Sequence, residues 1–196
     1  MGWSQSIIAR EQKSISGPDF SCIVAGVLVI LFGLPGAGKS YAGQMLSAEF
    51  GFYFHEADDD IPADYRRLVE AGQVVGEDRR DDYHRRLLDR LAELSAAHPR
   101  LAVALPLLRD RHRIWLRERF PEAVMILVQC DPARWEARLD ARTHTISLEY
   151  ARKVAGMFEP PTIAHLTLDD SLDGPEGVRL QLRAIVGDGG GSQRVR

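Results

Sequence analysis

The stretch Leu28 to Gly43, LVILFGLPGAGKSYAG, constrains the fold more than any other part of the chain. A continuous apolar run from Cys22 to Phe32, rich in Val, Ile and Leu, reads as a central strand of a parallel sheet, buried on both faces. It breaks into Gly33-Leu-Pro-Gly-Ala-Gly38-Lys39-Ser40, which matches GxxxxGK[ST] in full, and a helix is expected from Lys39 to Phe50. Glycines in such a turn let backbone N–H groups point inward around a β-phosphate. The helix adds its positive dipole end, Lys39 a point charge for the β/γ-phosphates, and the Ser40 hydroxyl a ligand for Mg²⁺. The nucleotide-binding set read here is Gly33, Pro35, Gly36, Ala37, Gly38, Lys39, Ser40 and Tyr41, with ATP and Mg²⁺ as the expected cofactors.

Strand and helix patterns alternate along the rest of the chain. Strands are expected at Phe52–Glu56, Leu101–Leu105, Ala123–Gln129 and Thr162–Leu168. Helices are expected at Ile61–Ala71, Arg79–His98, Asp110–Phe120, Pro132–Arg142, Ser147–Phe158 and Pro175–Val186. Leu87, Leu88, Leu91 and Leu94 give the longest helix an apolar face, and Asp131-Pro132 makes a good helix start. The pattern predicts an α/β fold with a five-stranded parallel sheet. One domain is expected over residues 21–187, with a flexible extension at 1–20 and a flexible tail at 188–196.

Composition narrows the function. A net charge of −3 gives no broad basic field for nucleic acid, although the chain holds 22 arginines against three lysines. The longest apolar run, Cys22 to Leu34, is too short to span a bilayer. The two cysteines, Cys22 and Cys130, show no metal or redox spacing, so a cytoplasmic, reduced setting is expected. No membrane and no nucleic-acid partner are expected, and the chain is read as a monomer or homodimer. No apolar strand ends in the DxxG or DE pattern of a GTPase or motor ATPase. The third expected strand runs into LPLLR without a carboxylate. Metal support must then come from the acidic run Asp58-Asp59-Asp60 after the second strand, with Asp58 its natural candidate.

Several stretches beyond the phosphate loop carry a family resemblance. They are EADDDIP (56–62), EAGQVVGEDRRDDYHRRL (70–87), LLRDRHRIWLRERFP (107–121), CDPARWEARLDAR (130–142), FEPP (158–161) and LDDS followed by PEGV (168–178). Together they resemble the small P-loop kinases of the gluconate kinase and shikimate kinase type, and the chain looks like a divergent gluconokinase-like member. The resemblance implies a P-loop NTPase three-layer sandwich with a helical lid at about 138–158. It implies transfer of the ATP γ-phosphoryl group to a hydroxyl of a small polar metabolite. Carried over residue by residue, it makes Lys39, Asp58, Arg138 and Arg142 the catalytic candidates. Asp58 would take the acceptor's proton, support Mg²⁺ with Ser40, or both. Arg138 and Arg142, the lid arginines, would close on the phosphates. Arg80 would grip substrate or γ-phosphate, and Arg109 and Arg113 stand at further substrate positions.

The departures fall near the expected acceptor. Ile61-Pro62 replaces the family's His-Pro, Leu68-Val69 its Lys-Met, and Leu105-Pro106-Leu107 its Cys-Ser-Ala. THTISL stands where the family's lid has Lys-Gly-His-Phe. These changes argue against gluconate itself and for a less polar substrate. Two alternatives stay open. A nucleoside or nucleotide kinase has only Tyr65 and Tyr83 in its favour, and a non-catalytic ATP-binding protein shares the cradle. Glu77 and Asp78 read better as a helix start that complements the dipole, and His55, His84 and His112 as structural. His144, in the expected lid, is a minor candidate for substrate contact.

Overall fold

The computed structural model describes residues 26–140, 147–170 and 174–187. Five strands form one sheet: β1 (Val27–Phe32), β2 (Tyr53–Glu56), β3 (Arg100–Leu105), β4 (Val124–Gln129) and β5 (Leu166–Asp169). Their order is β2-β3-β1-β4-β5 and every pairing is parallel. Seven helices connect them among the described residues: α1 (Lys39–Phe50), α2 (Ala63–Glu70), α3 (Glu77–Ala97), α4 (Asp110–Arg119), α5 (Pro132–Asp140), α6 (Leu148–Ala155) and α7 (Gly174–Val186). The α/β fold with a five-stranded parallel sheet is therefore as expected. None of these helices is long and apolar enough to cross a membrane.

The period-2 geometry of β1 divides the core into layers. Leu28, Ile30 and Phe32 face α3 and α4, packing with Tyr83, Leu87, Leu91, Leu94 and Leu116. Val29 and Leu31 face the opposite layer, with Ala42, Met45, Leu46 and Phe50 of α1 and Val178 and Leu182 of α7. A sheet covered on both faces needs strands that are apolar throughout, which is why β1 and β3 read as continuous runs. A smaller cluster, Leu108, Tyr150 and Val154, joins α6 to the loop after β3.

The order places β1 between β3 and β4, so the chain turns to opposite sides of β1 after it. The loops at the carboxyl ends of β1, β2 and β3 lie on one edge of the sheet, the usual side for a ligand in such a fold. Boundaries differ from expectation mainly at the starts of β5 and α3. Strand β5 starts at Leu166 rather than Thr162. Thr162 donates its N–H to Asp110 (3.0 Å), and Arg117 holds the Ala164 carbonyl (3.0 Å), so 162–165 is tied to α4 instead of β4. Helix α3 starts at Glu77, so Glu77 and Asp78 occupy its first turn.

Candidate active site

The turn between β1 and α1 has the backbone a phosphate cradle needs. Gly33 (φ +145°) and Gly38 (φ +106°) lie where L side chains are strained, and each faces a close neighbour. A Cβ at Gly33 would overlap the Val128 carbonyl, and one at Gly38 the Asp170 carboxylate. Ala37 N–H closes the turn onto Leu34 O (3.2 Å), with Ala37 itself buried. Lys39 is buried, and its Nζ donates to the carbonyls of Gly33 (3.2 Å) and Leu34 (2.8 Å), across the mouth of the loop.

Glu56, the last residue of β2, meets α1 at this point. Its carboxyl lies beside the Ser40 hydroxyl and in the field of Lys39, and both act on it electrostatically. Burial raises the Glu56 pKa most, nearby Asp58 adds to the rise, and Ser40 and Lys39 oppose it. The sequence reading passed over Glu56. Its signal was the two-residue spacing from Asp58 across the strand end, E-x-D, which brings both carboxylates to one corner of the sheet.

The three aspartates that follow separate by partner. Asp60 accepts from His55 Nε2 (2.6 Å) and Asp59 is exposed. Asp58 is exposed too, yet protein crowds its carboxylate enough to desolvate it in part. That desolvation raises its pKa, against the pull of Lys39 and then Arg66, whose guanidinium also donates to Asp58 O (2.9 Å).

The candidate arginines are used differently from one another. Arg109 pairs with Glu77 (2.7 Å) and Glu159 (3.1 Å) and donates to Met157 O (3.2 Å). Arg113 is wholly buried, with Nε on Asp110 (2.9 Å) and its terminal nitrogens on Leu107 O (2.6 Å) and Glu159 O (2.5 Å). Both clamp the chain that leaves α6 onto the start of α4, where the resemblance put substrate contacts. Arg80 is also buried. It donates to Val75 O (3.0 Å) and Met157 Sδ (3.8 Å), and has no carboxylate partner among the described residues.

Helix α5 lies over the phosphate loop. Asp131 caps it, accepting from Ala133 N (2.9 Å) and Arg134 N (3.2 Å). Trp135 Nε1 donates to Pro35 O (2.6 Å), and Leu139 packs on Gly36. Arg138 pairs with the buried Asp170, which raises the arginine's pKa, and lies in the field of Tyr41 on the first turn of α1. Asp170 was not foreseen, and nothing in LDDS singles it out without the approach to Gly38. Arg142 and His144 lie outside the described residues.

No protein-family model matches the chain, and a search of curated proteins finds no match. Solved structures do match. A sugar kinase from Janibacter sp. superposes with a TM-score of 0.72 at 18% identity, covering 83% of this chain and 95% of that one. A gluconokinase from Sinorhizobium meliloti gives 0.64 at 21% identity, covering 83% and 89%. A shikimate kinase from Bacteroides thetaiotaomicron gives 0.57 at 15% identity, covering 82% and 98%. The fold is that of the small P-loop kinases. At these identities the likeness concerns architecture, and the chemistry has to be argued from the side chains above.

Proposed function

We propose that the chain transfers the γ-phosphoryl group of ATP to a hydroxyl of a small polar metabolite. One observation carries the reading. Lys39, the Ser40 hydroxyl and the carboxylates of Glu56 and Asp58 meet at the junction of the phosphate loop and the end of β2. A binding protein needs the first two to hold phosphates. Two desolvated carboxylates beside them serve chemistry on an acceptor and its metal.

The donor set fits Mg²⁺. It is all oxygen, and no cluster of three or more His, Cys, Asp or Glu among the described residues makes a protein-only cage. Mg²⁺ is commonly held by one or two carboxylates, with phosphate oxygens and water completing its shell. Ser40 and Glu56 would hold it, with Asp58 at the edge. When bound, the ion draws charge off the transferring phosphoryl oxygens.

The protein's own groups do the rest. The cradle from Gly33 to Ser40 orients ATP, and Lys39 leaves its carbonyl partners for the β/γ-phosphate oxygens. Asp58 accepts the acceptor's hydroxyl proton or fixes its direction. Arg80, with no carboxylate to satisfy it, takes an anionic group of the acceptor or the γ-phosphate. Helix α6 covers the cleft through Tyr150 and Val154, limiting hydrolysis by water. Arg138 and Arg142 remain candidates for charge stabilisation from the lid.

A nucleoside kinase is the second reading, and the aromatic pair gives it little support. Tyr83 is buried in the core with its hydroxyl on Ala57 O (2.7 Å), its ring edge-on to Tyr65. It offers no open face for a base. The test is transfer of labelled γ-phosphate to small alcohols by wild type, Lys39→Ala and Asp58→Asn. Transfer by wild type that both variants lose is expected; full activity in Asp58→Asn would remove that residue from the mechanism.

A further inference from the structure

Where α2, the start of α3 and α6 meet, three polar side chains are more than nine-tenths buried: Tyr65 at 8% exposure, Tyr150 at 6% and Arg80 at 4%. They act on one another electrostatically. Tyr65 lies in the fields of Arg80, Tyr150 and Asp58, and Tyr150 in those of Arg80 and Asp58. The two phenols therefore lie within electrostatic reach of both Arg80 and Asp58.

A buried phenol ordinarily finds a hydrogen-bond partner. Tyr83 does, on Ala57 O. Tyr65 and Tyr150 do not: neither hydroxyl has a hydrogen-bond partner among the described residues, and neither is among the polar atoms sealed from solvent. Both hydroxyls therefore keep some access to solvent instead of being sealed in the core. Leu34, Val69 and Phe158 pack against the cluster of Leu108, Tyr150 and Val154, so the surroundings of Tyr150 are apolar.

We propose that Tyr65 and Tyr150 are specificity-determining residues of the acceptor site. They hydrogen-bond the non-reacting oxygens of a compact polyhydroxylated acceptor while its reacting hydroxyl lies at Asp58. The inference rests on the kinase reading. Tyr65 stands on α2 and Tyr150 on α6, so an acceptor that satisfies both hydroxyls bridges the body and the lid. Its carbon skeleton lies against Val69, Leu108 and Phe158. A site with two phenols to satisfy rejects an analogue that lacks the matching hydroxyls, because the phenols are then left unpaired.

Calorimetric titration of the Mg·AMPPNP-loaded protein with glycerol, D-glycerate, myo-inositol and D-gluconate, each to tens of millimolar, tests this. At least one probe binds the wild type. Tyr65→Phe and Tyr150→Phe each weaken that probe by about three- to tenfold. In transfer assays with it, they raise KM more than they lower kcat. Equal probe affinity in wild type and both variants overturns the proposal. So does the absence of binding by all four probes to a protein that binds Mg·AMPPNP. Failure of Mg·AMPPNP itself to bind would remove the kinase reading, and this inference with it.

Discussion

The Lys39 ammonium donates to two carbonyls of its own loop, and the Glu56 carboxyl lies beside the hydroxyl of the residue that follows it. Phosphate oxygens and a cation would compete for those same atoms. Lys39→Ala should therefore lower kcat/KM by about 10²–10³ or more, the scale seen when one preorganised charge-stabilising group is lost. Circular dichroism should show the fold intact. Glu56→Gln gives a pH-dependent signature. Burial raises the folded-state pKa of Glu56, so the carboxyl is neutral in both states at low pH. As pH climbs through the folded-state value, ionising the buried group destabilises the native protein. The Tm advantage of Glu56→Gln over wild type should then be larger at pH 7 than at pH 4, and should shrink when Mg²⁺ and ATP are added. An advantage that does not depend on pH would mean that the carboxyl is not desolvated. The acidic turn after the second strand was legible from the run Asp58-Asp59-Asp60. Glu56 was not, because one acidic residue at a strand end looks like ordinary surface until Ser40 is placed beside it.

Among the elements, the pairing of α3 with α4 has its own pH dependence. His84 and His112 stack at 3.8 Å between ring centroids. Nδ1 of His84 bonds Arg80 O (2.7 Å), and Nε2 of His112 bonds Asp81 (2.7 Å). Burial pushes the His84 pKa down to about 3, and lowers that of His112. A depressed histidine contributes stability that is fully present above about 6.5 and lost as pH falls toward its folded-state value. Each such group can add up to about 1.4 kcal/mol per pH unit to that slope. Wild-type Tm should fall between pH 6.5 and 4, and His84→Phe should flatten the slope. The chain that follows α6 is fixed differently. Glu159 caps α4 from 49 positions away, accepting from Asp110 N (2.7 Å) and Arg109 (3.1 Å). Glu159→Ala should cost about 1–2 kcal/mol, the usual range for a lost cap. In a domain of this size that is read as a drop of about 2–4 °C in Tm per kcal/mol. These contacts explain what the sequence could and could not reveal. The apolar runs of β1, β3 and β4 were readable because both their faces are covered. The start of β5 was not, because Asp110 and Arg117 claim residues 162–165. The clamp roles of Arg109 and Arg113 depend on Glu77 and Glu159, which no local pattern links to them.

For the whole molecule, the all-parallel sheet brings the turn after β1 and the acidic end of β2 to one carboxyl edge. Mg·ATP at a hundred times its dissociation constant should stabilise the native state by about 2.7 kcal/mol. That appears as a rise of several degrees in Tm, absent in Lys39→Ala. The most direct test of the kinase reading is ATP consumption by the purified protein with Mg²⁺, against sugar acids, polyols, cyclitols, amino alcohols and nucleosides, with products identified by mass spectrometry. The account predicts an acceptor-dependent rise in ADP and a singly phosphorylated small alcohol as product, both lost in Lys39→Ala and Asp58→Asn. Tight Mg·ATP binding with no phosphorylated product from any acceptor class would contradict it, and would mark the chain as a protein that holds ATP without transferring its phosphate.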